Sequence, residues 1–351
     1  MIKPGLAGPL TVLLLFAASA VQGHEIRRLG DDRVSGEPRV DHLYSCQQQF
    51  DPNAPGASGP FPWIQGQRYD PRRKPVIGGR QSWPNAQIAI TREGNWRLIV
   101  SNNLPQHPTG IFPIRTSDQA YQFDRNPNAI REQRIRLKLP FAPQAAPAPS
   151  CVPMGLIGFT VVGGALYNAM DARGRDAPAY EMMDLCGGHP QQEGQYHYHD
   201  NAPCLPNGRD ANGHSELIGY ALDGFGIYGA FDIDGRPITN RELDACHGHV
   251  GPVLWDGRIQ EIFHYHLNDE YPYSVGCFHG TPVRVSPDIR LPKREGRPDP
   301  LLPVARELGV EVGALREAIG PPPPNFRRAA RILGIDAQRL REAFRRRPPP
   351  Q

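Results

Sequence analysis

Two His-x-His pairs carry most of the chemistry in this chain. One is His197 and His199 in Tyr196-His197-Tyr198-His199; the other is His264 and His266 in Phe263-His264-Tyr265-His266. Alternate residues of a β-strand project to one face. On each strand both imidazoles therefore point one way. Tyr196 and Tyr198, or Ile259, Phe263, Tyr265 and Leu267, point the other. Same-face neighbours sit roughly 6.5–7 Å apart along a strand. That lets two imidazoles reach one ion at about 2 Å each. If the two strands are neighbours, four nitrogens converge. His189, after Cys186-Gly187-Gly188, and His247 and His249, in Cys246-His247-Gly248-His249, complete the candidate ligand set. His214, His279 and His107 are weaker candidates. Nine of the twelve histidines fall between His189 and His279, so the signal is a local cluster and not a general excess.

An imidazole-rich site without thiolates suits zinc, copper, iron or nickel. Copper leads the affinity order and zinc is the commoner occupant, so copper or zinc is the expected ion. The competing reading is structural: a half-buried sheet face whose imidazoles bond to Asp184, Asp223 or backbone carbonyls. Asp232-Ile233-Asp234-Gly235 hints at a calcium loop but lacks the spaced carboxylates and closing glutamate of an EF-hand; a hairpin turn explains it.

The elements that must hold these residues read as strands and turns. Trp96 to Val100 and Arg134 to Leu139 have β-type patterning. Gly158 to Leu166 is a continuous apolar run suited to a buried strand. Asp223-Gly224, Asp234-Gly235 and Asp256-Gly257 lie between apolar stretches, a strong hairpin signal. Leu217 to His266 thus reads as a run of hairpins. With 39 Pro and 37 Gly in 351 residues, the composition favours many turns and short strands over a helical bundle. The expected fold is mainly β: one β-rich domain of hairpins, sandwich-like or barrel-like, with a small C-terminal helical tail.

Residues 1–23 read as a signal peptide, with Lys3, an apolar run from Leu10 to Ala18 and small residues at Ala18-Ser19-Ala20. The run is shorter than the roughly 20 residues of a membrane span. Residues 24–60 read as a poorly ordered lead-in, 61–282 as the β-rich domain, and 283–351 as a linker with two helical-hairpin repeats. The repeat is Leu308-Gly309-Val310 leading to Ala314–Ile319, then Leu333-Gly334-Ile335 leading to Arg339–Phe344. Six cysteines allow up to three disulfides in an oxidising compartment, with fifteen possible pairings. Cys186–Cys204 is the expected local pair. The expected location is periplasmic or secreted. A net charge of +3 gives no support to a nucleic-acid partner. The last seventy residues hold fifteen Lys and Arg against eight Asp and Glu, a basic surface for an anionic envelope component.

Several motifs in order resemble the YHYH domain family. They are Gly194–His199, Leu217–Phe225 with Ile227-Tyr228-Gly229, Leu243–His249 and Tyr271–Phe278, within a span of roughly residues 95–280. The resemblance implies the domain limits and export, and supplies no substrate. Three functions compete. The first is an exported metal-binding protein whose histidine cluster lies on adjacent strands. The second is a metal-dependent hydrolase or oxidase, in which Asp184, Asp223 or Glu261 could serve as base. The third is an envelope interaction protein with a structural histidine sheet. No nucleophile with an oriented base is recognisable.

Overall fold

The computed structural model describes residues 26–284, 301–319 and 326–345. The expected signal peptide and much of the linker lie outside the described residues. Strands dominate, in several sheets, with few and short helices. The fold is β-rich, with small helices at the C-terminus.

The central sheet has eight strands. They are β1 (Leu156–Thr160), β2 (Ala165–Tyr167), β3 (Gly188–Pro190), β4 (Tyr196–Tyr198), β5 (Leu217–Ala221), β6 (Gly226–Tyr228), β7 (Gly248–Trp255) and β8 (Arg258–His266). Their order across the sheet is β3-β4-β2-β1-β5-β6-β8-β7. The apolar run from Gly158 to Leu166, expected as one strand, is instead split between β1 and β2. Gly163 turns the chain with φ +97° where it runs against the Leu104 carbonyl, a conformation that side chains rarely adopt. The Asp-Gly pairs behave as turn chemistry requires. Asp223-Gly224 joins β5 to β6, and Asp256-Gly257, both at positive φ, joins β7 to β8. Asp234-Gly235 instead tips a loop closed by the single bridge between Phe231 and Pro237.

The sheet is a two-fold repeat. β1 and β5 pair antiparallel at its middle, with Phe159 opposite Tyr220, Gly158 opposite Ala221 and Thr160 opposite Gly219. To one side, β2 runs parallel to β4, and β3 closes antiparallel on β4. To the other, β6 runs parallel to β8, and β7 closes antiparallel on β8. The sequence carries the same echo. Leu156-Ile157-Gly158-Phe159 corresponds to Leu217-Ile218-Gly219-Tyr220, Asp184-Leu185-Cys186 to Asp244-Ala245-Cys246, and Tyr196–His199 to Phe263–His266.

Both faces of the sheet are buried: Tyr196, Tyr198 and Tyr265 point away from the histidines, while Tyr228 borders His264 on the histidine face. Phe159, Tyr196, Tyr198, Tyr228 and Tyr265 are all almost fully buried. Each large side chain removed from water contributes about 1.5–3 kcal/mol. A second, three-stranded antiparallel sheet (Ile88–Glu93, Trp96–Ser101 and Ile135–Pro140) packs nearby. Arg97 links it to the central sheet: it pairs with Asp256 at 2.8 Å and lies over the rings of Tyr220 and Trp255.

Three disulfides staple the fold: Cys46–Cys151, Cys186–Cys204 and Cys246–Cys277. The local pair expected from the sequence is among them. Cys186–Cys204 and Cys246–Cys277 occupy matching places in the two halves. Cys46–Cys151 ties down the chain before residue 60. In place of a poorly ordered lead-in, residues 26–60 hold Leu43 at 0 % exposure and pair Val34-Ser35 with Leu43-Tyr44. Cys46 and the buried Leu29, Leu43 and Ala57 anchor a segment whose remaining residues are mostly polar.

The chain divides into units at Ile289 and Arg290. In the second unit, helices Leu302–Leu308 and Val312–Ile319 form one repeat copy, and Phe326–Leu333 and Ala337–Arg345 the other. Gly309 and Gly334, both at positive φ, make the Leu-Gly corners. Val304, Leu308, Leu315, Ala329 and Leu340 form this unit's own small core. No helix among the described residues is long and apolar enough to cross a membrane.

Candidate metal centres

The two His-x-His strands lie in one sheet but are not neighbours. β2, β1, β5 and β6 separate β4 from β8. The four-nitrogen convergence expected from adjacent pairs therefore does not form. Each pair instead meets the histidine on its own antiparallel partner. His189 on β3 lies opposite His197 on β4, and His249 on β7 lies opposite His264 on β8. Cross-strand partners share a face, so each half gathers three imidazoles.

The first centre comprises His189, His197, His199 and Glu181, with ligand atoms all within 4.8 Å of one another. His189 Nε2 is 3.4 Å from His199 Nε2. Glu181 Oε2 is 3.0 Å from Nε2 of both, yet neither approach has hydrogen-bond geometry and that oxygen is a buried acceptor without a donor. His197 donates Nδ1–H to the Gln195 carbonyl and His199 to the Asn168 carbonyl. The Tyr167 ring stacks on His197 at 3.9 Å between centroids.

The second centre is two overlapping sets that share His266: His214, His264 and His266 in one, and Asp232, His249 and His266 in the other, each with its ligand atoms within 4.8 Å of one another. His249 Nε2 is 3.0 Å from His264 Nε2 and 3.1 Å from His266 Nε2. His214 Nε2 is 3.3 Å from His264 Nε2. Asp232 Oδ1 is 4.0 Å from His249 Nε2. The outer nitrogens repeat the first pattern. His264 donates Nδ1–H to the Ile262 carbonyl, His266 to the Gly229 carbonyl at 2.7 Å, and His214 to the Ser215 carbonyl at 2.8 Å.

Those carbonyls fix the tautomers. A carbonyl oxygen only accepts, so each Nδ1 carries the proton and each Nε2 of a neutral ring presents a lone pair. In the second centre the His214 and His264 lone pairs then face each other at 3.3 Å with no proton between them. His249, whose Nδ1 has no such carbonyl partner among the described residues, can donate Nε2–H to only one of His264 and His266. Protonating one ring would relieve this, but burial opposes it. Burial, with the neighbouring imidazoles, pushes His264 down to about 3 and His266 well below the ordinary range. A bound cation removes the conflict. Donors around a tetrahedral ion at about 2.0 Å stand about 3.3 Å apart, and the neighbouring Nε2 pairs His189–His199, His214–His264, His249–His264 and His249–His266 stand 3.0–3.4 Å apart.

The centres differ in charge. In the first, burial pushes the Glu181 carboxyl up, but His189 and His199 outweigh it and hold it well below the usual carboxylate range. Burial likewise lowers His199, and Glu181 outweighs that to raise it. His197, which makes no ion pair with the carboxylate, is held well down by burial and by the other two imidazoles, which outweigh Glu181.

Among the expected residues, the structure brings together His189, His197 and His199 in one place and His249, His264 and His266 in another. His247 stands outside both groups and donates Nδ1–H to the His266 carbonyl. His279 stacks on Phe263 and His107 meets the Tyr198 hydroxyl, so neither joins a centre. The carboxylates weighed as bases face elsewhere. Asp184 accepts from Tyr196 and the amides of Gly110, Cys186 and Gly188; Asp223 accepts from Tyr265 and Gly280. Glu261 is exposed. Glu181 was not anticipated, His214 was ranked low, and Asp232 was noted only for a calcium loop. The internal repeat is the signal that would have divided the histidines correctly.

Comparison with curated proteins and with solved structures found no match. The family model described as YHYH protein matches residues 138–236, a narrower span than the motif resemblance covered. That span contains the first centre, His214 and Asp232, and ends before His249. The likeness to that family is thus one of residues 138–236, under half of the chain.

Proposed function

We propose that this is an exported metal-binding protein whose histidines hold transition-metal ions, copper or zinc. The observation that carries the reading is the convergence of Nε2 lone pairs in the second centre, fixed by three Nδ1–H bonds to backbone carbonyls. A purely structural histidine face would leave the His214 and His264 lone pairs opposed at 3.3 Å in a buried place, where an unsatisfied polar contact costs about 1–3 kcal/mol. Hydrogen bonding of the outer ring nitrogen is also how proteins orient metal-bound histidine. Three disulfides support a location outside the reducing cytoplasm.

Elemental analysis of the purified full chain tests this, beside protein stripped with chelator and reloaded with copper(II) or zinc. Bound metal is expected, and it should fall in a His264→Ala/His266→Ala variant that keeps its near-ultraviolet circular dichroism. Absence of metal before and after reloading would reject the reading.

A further inference from the structure

The two-fold repeat of the sheet preserves three imidazoles in each half and changes everything else around them. The correspondence is close. His189, His197 and His199 match His249, His264 and His266. The Asn168 carbonyl that orients His199 matches the Gly229 carbonyl that orients His266. Asp184 and Asp244 each cap the turn before the first histidine, accepting from the amides of Cys186 and Gly188 or of Cys246 and Gly248.

The fourth partner does not correspond. The first centre takes a carboxylate, Glu181, from the chain just after the short helix Ala177–Tyr180. The second takes an imidazole, His214, from the segment before β5. Enclosure differs too. Side-chain exposure is 8 % for His189, 3 % for His199 and 16 % for Glu181. It is 19 % for His249 and 28 % for Asp232. Tyr167 lies flat on His197, whereas the matching Tyr228 meets His264 edge-on at 75° and sends its hydroxyl to the Leu254 carbonyl. An aromatic ring therefore covers one centre and only borders the other.

We propose that the chain binds two transition-metal ions at unequal centres. The Glu181 centre retains its ion, and the centre built around His264 and His266, open at His249 and Asp232, is where metal enters and leaves. This rests on the metal-binding reading above. An ion leaving the first centre must part from an anionic ligand under a covering ring. An ion leaving the second parts from neutral imidazoles, with the Asp232 carboxylate at the solvent edge to receive it.

The test uses the full chain loaded with zinc and then challenged with excess chromophoric chelator. Two equivalents should leave in two phases whose rates differ by about tenfold or more, the scale on which one supporting group alters a metal site. His249→Gln should abolish the fast phase and leave the slow one. Glu181→Gln should accelerate the slow phase alone. Both variants keep side-chain size, and His249 lies at an accessible edge strand, so folding should survive; near-ultraviolet circular dichroism checks it. Copper(II) loaded into H249Q or E181Q should also give separate electron paramagnetic resonance spectra for the two centres. Two ions released at one rate, or a fast phase that belongs to Glu181, would overturn the inference. So would a single bound equivalent, which leaves the metal-binding reading standing. No bound metal at all would remove both.

Discussion

The first and second halves of the central sheet are built on one plan and finished differently. In each, a histidine on a short strand crosses to a His-x-His strand, and an Asp-capped turn with a disulfide precedes it. The first half spaces its crossing histidines closely, from His189 to His197. The second inserts the long β7–β8 hairpin between His249 and His264. A shared frame with unlike fourth partners shows which parts of the site are positional and which set its chemistry. The backbone carbonyls and capped turns aim the imidazoles. Glu181, His214 and Asp232 set charge and access.

The largest expected effect divides the halves outright. His197→Ala/His199→Ala should remove one equivalent of bound metal and spare the other, and His264→Ala/His266→Ala should do the reverse. Mass spectrometry under native conditions reads both. Loss of both ions from either variant would show that the halves act as one site.

Next comes the covalent support of each half. Replacing Cys186 and Cys204 with serine opens a loop with a separation of 18, and the Cys246 and Cys277 pair one of 31. Chain entropy puts each loss at about 3 kcal/mol. A lower melting temperature is expected for both. A difference larger than that small gap in loop length would mean that one half is strained.

A smaller effect comes from protons. His264 in the metal-free fold is held at about 3, below the ordinary 6.5 of an unfolded chain. The unfolded chain therefore takes up this proton first. Stability is full above 6.5 and declines as pH falls from there toward 3. By pH 5 the single group should cost about 2 kcal/mol. Urea unfolding of stripped protein at pH 7.5 and pH 5 measures it, and His264→Gln should flatten the dependence.

The smallest effect is expected from the tail. Removing residues 290–351 takes away a unit with its own core, so metal stoichiometry and both release rates should stay unchanged. A changed rate would bring the helices into the account of the sheet.

Much of the site was visible in the sequence because it is local. Alternation placed the paired imidazoles on one face, Asp-Gly marked the turns into β6 and β8, and short spacing favoured Cys186–Cys204. What failed was non-local. Strand order depends on which apolar edges meet, and nothing in Tyr196–His199 says that four strands lie between it and β8. Glu181 looks like any surface glutamate until folding buries it against His189 and His199. The lead-in was misread because Cys46 finds its partner 105 residues away. Searching for self-similarity would have exposed the repeat, and with it the division of the histidines, since a duplicated unit brings its ligands with it.

The seam at the middle of the sheet has its own consequence. β1 meets β5 through Phe159 and Tyr220, which are matching residues of the two halves. A half on its own would leave that strand as a bare edge, with a row of backbone donors and acceptors ready for another strand. A second copy of the same half supplies the complement by rotation, as in a symmetric dimer. The chain is in effect a dimer of halves made permanent by covalent linkage. The linkage frees each half to change its fourth ligand without changing the other, which two identical subunits cannot do.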